Sequence, residues 1–144
     1  MAAEKFNLLS SLYFKLTENP INYVSYPSEI DSLILVNTFT NGKSSFTYGW
    51  DNSLRLTLIK PLDITLSGEV YYVTLSSADE LTKNSGFNWE AKAIITYRLP
   101  KDFTIQLNGN YDAPKIILQG TTTPQYSMDA SINKSIKRKW VFSL

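Results

Sequence analysis

The sequence predicts an all-β protein, built as an antiparallel up-and-down meander of about eight strands. Two observations predict this fold class. Apolar and polar residues alternate with a period of two in at least six segments, as in strands that have one apolar and one polar face. Turn signals recur between these segments, and every connection is short enough to join antiparallel neighbours. The 144 residues are predicted to form one domain, residues 1–144, in which residues 1–4 resemble an artificial start.

Each predicted strand is a run of alternating residues that ends at a turn signal. The strands are Lys5–Leu16, Ile21–Thr40 with an interruption near Pro27, Ser44–Ile59, Ile64–Leu75, Gly86–Leu99, Phe103–Leu118, Tyr126–Ile136 and Trp140–Leu144. The sequence Asn41-Gly42-Lys43 predicts a hairpin turn between the second and third strands. Tight turns are also predicted at residues 60–63, 99–102 and 137–139, and longer loops at residues 76–85 and 119–125.

The alternation is clearest in the segment Gly86–Leu99. One set of positions holds Phe87, Trp89, Ala91, Ala93, Ile95, Tyr97 and Leu99, and the other set holds polar residues with a single isoleucine. Two kinds of protein give this pattern with opposite meanings. In a soluble sandwich or barrel the apolar face is the core, whereas in a membrane barrel it faces lipid and the polar face lines the lumen.

Loop lengths and aromatic positions favour the membrane arrangement. Tight turns follow the third, fifth and seventh strands and long loops follow the fourth and sixth, as in outer-membrane barrels. The predicted turn at Asn41 is the one exception. Aromatic residues lie toward both ends of the apolar faces, like the two girdles of a membrane barrel. The lipid-facing girdle candidates are Trp50, Tyr72, Trp89, Tyr97 and Trp140.

The charged residues of the strands fall on the predicted polar face. These lumen-facing candidates are Arg55, Glu69, Glu90, Lys92, Arg98, Asp112 and Asp129. They could line a pore or bind a polar solute. The alternative is a lumen packed with salt bridges, and it is favoured because eight strands enclose a space only just wide enough for side chains.

Composition excludes several classes of function. A formal net charge of +1 gives no electrostatic argument for a nucleic-acid partner. Cysteine and histidine are both absent, which removes thiolate sites, the usual general base and the commonest metal ligand. The serines and threonines lie in no nucleophile motif. The sequence therefore predicts a protein that is not an enzyme and has no cofactor or metal. It also lacks an apolar run of roughly 20 residues and a segment like a signal peptide.

Several local motifs in serial order point to a family. The stretch GFNWEAKAIITYRLPKDFTIQLNGNYDAPKIILQGTTTPQYSMDASINKSI, followed by KWVFSL, resembles the C-terminal barrel of outer-membrane β-barrel proteins of Bacteroidota related to TonB-dependent receptors. The earlier NTFTNGKSSFTYGWDNSLRLTLIKPLDITLSG also fits that family. The resemblance covers about residues 33–144. It implies an outer-membrane location and, for the parent family, nutrient uptake. The family's plug domain and energy-coupling motif are not recognisable here, so we expect a segment of such a barrel, with lipid or detergent as its surroundings.

Two alternatives remain open at this stage. The chain could be a soluble β-barrel or sandwich, natural or engineered, with its apolar faces turned inward and no transport role. It could instead be a self-assembling β fragment, because an incomplete barrel leaves strand edges that recruit other copies.

Overall fold

A computed structural model describes residues 5–136 and 140–143. All of its regular elements are strands: β1 Lys5–Glu18, β2 Ile21–Pro27, β3 Leu35–Ile59, β4 Leu62–Ser77, β5 Lys83–Leu99, β6 Phe103–Asp112, β7 Ile116–Ile117, β8 Gly120–Thr121, β9 Gln125–Ile136 and β10 Trp140–Ser143. The predicted all-β antiparallel meander is confirmed. Among the described residues, no helix has the length and apolar character needed to cross a bilayer.

Eight of the ten strands form one antiparallel sheet. Its order is β1-β3-β4-β5-β6-β9-β10, and β2 pairs with the part of β3 that extends beyond β4. β7 and β8 form a separate two-stranded hairpin. Within residues 5–136 and 140–143, no ladder joins β1 to β10. The sheet therefore has β1 at one edge, and β9 with β10 at the other.

β1, β2 and β3 form one long hairpin. Lys5 pairs with Thr57, and Ile21 pairs with Asn41 in the same register, so the two arms stay aligned across the break at Asn19 and Pro20. The turn lies at residues 28–34, where the Asp31 carboxylate accepts a hydrogen bond from the backbone N–H of Leu33 at 2.9 Å. We call β2, this turn and residues 35–41 of β3 the arm.

The predicted hairpin turn at Asn41-Gly42-Lys43 is wrong, because these residues lie inside β3. The glycine marks an irregularity in the ladder with β4, between Gly42 and Ser44, and not a reversal of the chain. A side chain at Gly42 would clash with the Asn22 amide and approach the carbonyl oxygen of Ser76 to 2.8 Å. Close approach of three strands explains the glycine, and a sequence pattern alone does not distinguish this from a turn.

The corrected turn also removes the exception in loop lengths. The connections at residues 28–34, 78–82 and 113–124 lie at one end of the sheet, and the two short connections at residues 60–61 and 100–102 lie at the other. Other predicted boundaries also change. The predicted strand Ile21–Thr40 is a hairpin, because β2 ends at Pro27 and the first part of β3 pairs back along it, and the predicted strand Ser44–Ile59 is the second part of β3. β4 and β5 shorten the loop predicted at residues 76–85, and β6 ends at Asp112 instead of Leu118. The predicted turn at residues 137–139 and the start at residues 1–4 lie outside the described residues.

The pairing registers align the apolar residues of neighbouring strands, so one apolar face extends across the whole sheet. In the middle of the sheet Leu54 pairs with Leu66, Leu66 with Ala93, and Ala93 with Gly109. Adjacent rows add aromatic and aliphatic residues from every strand between β1 and β9. Because side chains alternate along each strand, the polar residues share the opposite face.

The two faces differ in exposure in the opposite way to the faces of a sheet in a soluble protein. Side chains of the apolar face are widely exposed, for example Leu12 at 83%, Met128 at 84% and Phe87 at 69%. Three of the few buried residues, Val73, Asn88 and Asp63, lie in register with the polar face. The interior of the described chain is thus its polar side, and the apolar side is its outer surface.

Candidate functional site: the polar face and its strap

The register places all seven lumen-facing candidates on the polar face. They are Arg55, Glu69, Glu90, Lys92, Arg98, Asp112 and Asp129. They form separate groups at different positions along the strands. Glu69, Glu90 and Asp112 share one row across three neighbouring strands, whereas Arg98 lies near the short turns. That this face lines a lumen stays a prediction.

The first of these groups is part of a row of four carboxylates. Asp51 pairs with Glu69, Glu69 with Glu90, and Glu90 with Asp112, so four neighbouring strands place acidic residues side by side. We call these four residues the acidic row. Like charges directly opposite one another destabilise a sheet, so partners of the opposite charge or hydrogen-bond donors are needed. Sequence reasoning missed Asp51, although its alternation with Ser53 and Arg55 placed it on this face.

One donor to the acidic row comes from β1. Tyr13 lies directly opposite Gly49, and its ring covers this glycine so closely that an added Cβ would lie 2.6 Å from the ring. The Tyr13 hydroxyl reaches past β3 and donates a hydrogen bond to the Glu69 carboxylate. The glycine thus lets an aromatic side chain lie across the strand, and a period-two pattern carries no signal for this contact.

A cation for the acidic row comes from the long connection between β6 and β9. Residues 113–124, which we call the strap, fold back over the polar face of β5. The Lys115 ammonium lies 2.8 Å from an Asp112 oxygen and 3.1 Å from a Glu90 oxygen. Hydrogen bonds to Asp112 and Glu90 raise the pKa of Lys115 above its usual range. Sequence reasoning missed Lys115, because residues up to Leu118 were predicted to continue a strand.

Two asparagines of β5 attach the strap to the sheet. The Asn88 side-chain oxygen accepts a hydrogen bond from the backbone N–H of Ile116 at 2.7 Å, and Asn88 is only 2% exposed. The Asn84 side-chain amide donates to the carbonyl oxygens of Ile117 at 2.6 Å and Gly120 at 3.0 Å. These bonds satisfy backbone groups that a strand neighbour would otherwise satisfy.

The turn between β7 and β8, in the middle of the strap, contacts the arm. The Gln119 side-chain amide accepts a hydrogen bond from the Ser25 backbone N–H at 2.7 Å and donates one to the Ser25 carbonyl at 3.3 Å. The amide therefore satisfies both backbone groups of one residue, as an added strand would. We call this pair of bonds the clasp. It links β5, through the strap, to the free edge of β2.

Two cavities of about 480 Å³ each lie in the described part of the chain. The inner cavity is lined by the acidic row together with Ser67, Lys92, Asn110 and Ser127. The outer cavity lies between the arm, the loop at residues 78–82 and the strap, which contributes Leu118 and Gln119 to its wall. The inner cavity is thus the more polar of the two, and the strap forms part of the wall of the outer cavity alone.

The loop beside the outer cavity is stabilised by its own carboxylates. Asp79 accepts hydrogen bonds from the Ser77 hydroxyl and from the Leu81 backbone N–H at 3.1 Å, and these bonds hold its pKa below the usual range. Glu80 forms an ion pair with Lys43 of β3, which likewise lowers the pKa of Glu80. Within residues 5–136 and 140–143, no group of three potential metal ligands comes together.

A separate ion pair lies at the opposite end of the polar face. Asp63 is largely buried and lies 2.5 Å from an Arg98 guanidinium nitrogen and 4.0 Å from one of Arg55. The Thr57 hydroxyl also donates to this carboxylate at 2.6 Å. The two arginines predicted to face the lumen therefore share a partner that sequence reasoning did not select. Asp63 alternates with Thr65 and Ser67, and this pattern could have identified it.

Four of the five aromatic girdle candidates, Trp50, Tyr72, Trp89 and Tyr97, lie on the apolar face, in two bands. Tyr48, Tyr72 and Phe87 are in contact toward the long loops, with ring centroids 5.4 and 5.0 Å apart. Trp50 and Trp89 lie in the next row. The lower band contains Tyr97 and Phe103, and the Lys134 ammonium lies 4.5 Å above the Phe103 ring. The backbone of Trp140 pairs with Ile136, but its side chain lies outside the described structure.

Comparison with known proteins agrees with this inverted arrangement. A family model described as "Outer membrane protein beta-barrel family" matches residues 2–144. The chain belongs to this family. No curated protein and no solved structure matches it significantly. Membership is consistent with an antiparallel sheet whose apolar surface is exposed in the part of the chain that the structure describes, and it supports an outer-membrane location.

Proposed function

We propose that this chain is a membrane-spanning segment of an outer-membrane barrel, without enzymatic activity, whose apolar face contacts lipid and whose polar face lines the lumen. One observation carries the proposal. The apolar residues form a continuous surface across seven positions of the sheet, and the structure leaves that surface exposed while it buries polar residues on the other side. A soluble sandwich would bury this surface.

The spacing of the aromatic bands fits a bilayer. Phe87 and Trp89 of the upper band precede Tyr97 of the lower band by ten and eight residues on β5. At roughly 3.4 Å per residue these separations are about 34 and 27 Å along the strand. A strand tilt of about 40° reduces them to roughly 26 and 21 Å, close to the apolar band of about 25 Å in outer-membrane barrels.

We further propose that the parent protein is related to the TonB-dependent receptors of Bacteroidota and serves nutrient uptake. This finer assignment is supported by the serial motifs between residues 33 and 144, and membership of the outer-membrane family is compatible with it. The polar face, with its acidic row and two cavities, is the surface that a solute would meet.

Site-directed spin labelling tests the orientation of the two faces. The chain contains no cysteine, so Leu66→Cys on the apolar face and its neighbour Ser67→Cys on the polar face can each carry one label in lipid vesicles. We expect the label at position 66 to be relaxed by oxygen, which concentrates in lipid, and the label at position 67 by a water-soluble nickel chelate. Equal accessibility to both reagents at the two positions would contradict the proposal.

A second candidate is self-association, favoured by the edges of the sheet. β1 pairs only with β3 among the described residues, and β10 covers only residues 133–136 of β9. Unpaired edges recruit strands from other molecules. Single cysteines at Leu9 in β1 and Asp129 in β9 would test this. Cross-links between two chains, at a protein-to-detergent ratio of less than one chain per micelle, would support self-association, and their absence would exclude it under those conditions.

A further inference from the structure

We propose that the end of the sheet with the short turns binds the phosphate headgroups of anionic phospholipids through Lys60, Lys101 and Lys134. We call these three residues the basic rim. The inference rests on the membrane orientation proposed above and deepens it, because it names the class of lipid that this part of the surface recognises. Short turns of outer-membrane barrels lie on the periplasmic side, so the phospholipids are those of the periplasmic leaflet.

Lys134 lies on the lipid-facing side of β9 at the depth of the lower aromatic band. It pairs with Phe103 of the apolar face, and its ammonium lies 4.5 Å from the centroid of that ring. Lys134 follows Tyr126 by eight residues on β9, the same separation as that between Trp89 and Tyr97 on β5. A charge on the lipid face is tolerated near the interface and is costly at the midplane, and a lysine there extends its ammonium toward the headgroups. Lys134 therefore brings a positive charge to the boundary between hydrocarbon and headgroups.

Backbone hydrogen bonds hold the two short turns beside the neighbouring strands. The backbone N–H of Ser135 donates at 3.1 Å to a carbonyl of the turn at residues 100–102, which places the turn of Lys101 next to β9. The backbone N–H of Arg98 donates at 2.7 Å to a carbonyl of the turn at residues 60–61, which places that turn next to β5. All three lysines of the basic rim are exposed. The rim thus follows the lower border of the apolar face from β3 to β9.

The surrounding charges leave the basic rim positive. Two of the carboxylates that the structure describes lie at this end, and one of them, Asp63, already binds two arginines. The other, Asp102, is a single carboxylate beside three lysines. At the opposite end of the sheet, the connections at residues 28–34 and 78–82 contain four carboxylates and no lysine or arginine. Charge is therefore separated along the strands, with the positive side at the short turns.

The place of these charges selects a lipid as the ligand. The three lysines lie at the border of an exposed apolar surface, where an anionic phospholipid can place its acyl chains on the apolar face and its phosphate beside an ammonium. A soluble anion would gain only the second contact. Lysine near an anionic membrane surface gains electrostatic free energy over a distance set by the ionic strength.

Electron spin resonance of spin-labelled lipids tests the basic rim in the folded protein. The spectrum separates lipids immobilised at the protein surface from bulk lipids, and their ratio gives the association constant of phosphatidylglycerol relative to phosphatidylcholine. The rim variant combines Lys60→Gln, Lys101→Gln and Lys134→Gln. Lys134→Gln alone is compared with Lys83→Gln, a matched control because Lys83 lies on the same side of β5 as Phe87, at the opposite end of the sheet. Lys134→Arg keeps the charge.

We expect the parent to prefer phosphatidylglycerol about fivefold, the factor that corresponds to ~1 kcal/mol for one lysine at an anionic surface. The rim variant should show no preference and Lys134→Gln a reduced one, whereas Lys134→Arg and Lys83→Gln should keep the preference of the parent. Salt at about 1 M should remove the preference, because the screening length falls to about 3 Å. Heat-modifiable gel migration would show that each variant is folded.

Three results would overturn the basic rim: equal association constants for the two lipids in the parent, a preference that persists in the rim variant, or equal losses for Lys134→Gln and Lys83→Gln. The last result would mean that net charge alone sets the preference. Absence of immobilised lipid of either kind would contradict the membrane orientation, and the basic rim with it, so failure of the rim and failure of the orientation give different spectra.

Discussion

An arginine at the centre of the apolar face gives the sharpest test of the membrane orientation. Ala93 lies midway between Trp89 of the upper aromatic band and Tyr97 of the lower band, four residues from each. With roughly 3.4 Å per residue and a tilt of about 40°, this position is about 10 Å from either band and thus near the bilayer midplane. Ala93→Arg should therefore lower the free energy of unfolding from lipid by roughly 2–4 kcal/mol.

The next residue supplies the matched control. Ile94 lies in the polar row between Thr65 and Asn108, so an arginine there points away from lipid. Ile94→Arg adds the same charge at nearly the same depth and should change the free energy of unfolding by less than about 1 kcal/mol, the usual range for a charge in a hydrated site. Urea titration of the folded protein in phosphatidylcholine vesicles, followed by tryptophan fluorescence, measures both values.

The decisive quantity is the difference in the free energy of unfolding between Ala93→Arg and Ile94→Arg, and the absolute values matter less. A larger loss for Ile94→Arg than for Ala93→Arg would show that the polar side is the dry interior and the reasoning about the two faces is wrong. In a soluble fold with an apolar core, Ala93→Arg would bury an unpaired charge and prevent folding in plain buffer. Cooperative folding of the parent chain as a monomer without lipid or detergent would also refute the membrane orientation.

Two further predictions follow from local contacts. Gly49→Ala should destabilise the protein by about 1–3 kcal/mol, because its Cβ would meet the Tyr13 ring at 2.6 Å, whereas Gly109→Ala, with no atom within 4 Å, should be nearly neutral; equal effects in urea titration would contradict this. The lowered pKa of Asp79 means that its carboxylate stabilises the loop above the usual aspartate range, and that this contribution is lost as pH falls through the lowered pKa. Hydrogen exchange at the Leu81 amide should accordingly lose its protection in acid, and at all pH values in Asp79→Ala, which removes the acceptor oxygen. Protection that does not change with pH in the parent and is kept in the variant would refute this.

The alternation of residues predicted the sheet and its two faces because side-chain direction in a strand is a local property. The residues from Phe87 to Leu99 and from Phe103 to Tyr111 needed only a period of two to be assigned to a face, and the register then aligned them. The prediction of a turn at Asn41 was wrong for a related reason. Asparagine followed by glycine is favoured both where a chain reverses and where a neighbouring backbone comes close, and only the pairing of distant strands decides between them.

The strap could not be predicted, because its contacts are not periodic. Ile116, Ile117 and Leu118 continue the apolar composition of a strand, so the sequence predicted that β6 extends to Leu118. In the structure these residues turn back over β5, where Asn84 and Asn88 satisfy their backbone groups. The clasp depends on a single glutamine that meets a residue 94 positions away. Pattern analysis of one sequence contains no information about such a pair.

The outer edge of β1, which has no partner among residues 5–136 and 140–143, has a consequence for how the protein enters a bilayer. About eleven residues of β1, Phe6 to Leu16, lie opposite the apolar rows of β3, and in an antiparallel strand every second residue directs both its N–H and its C=O away from the paired neighbour. About ten backbone groups would then face hydrocarbon, at several kcal/mol each. Such a penalty, tens of kcal/mol in all, exceeds the stability of a typical domain. Insertion and the pairing of this edge are therefore a single thermodynamic step, and a species that lies flat on the membrane surface, with its edge still hydrated, is the expected folding intermediate.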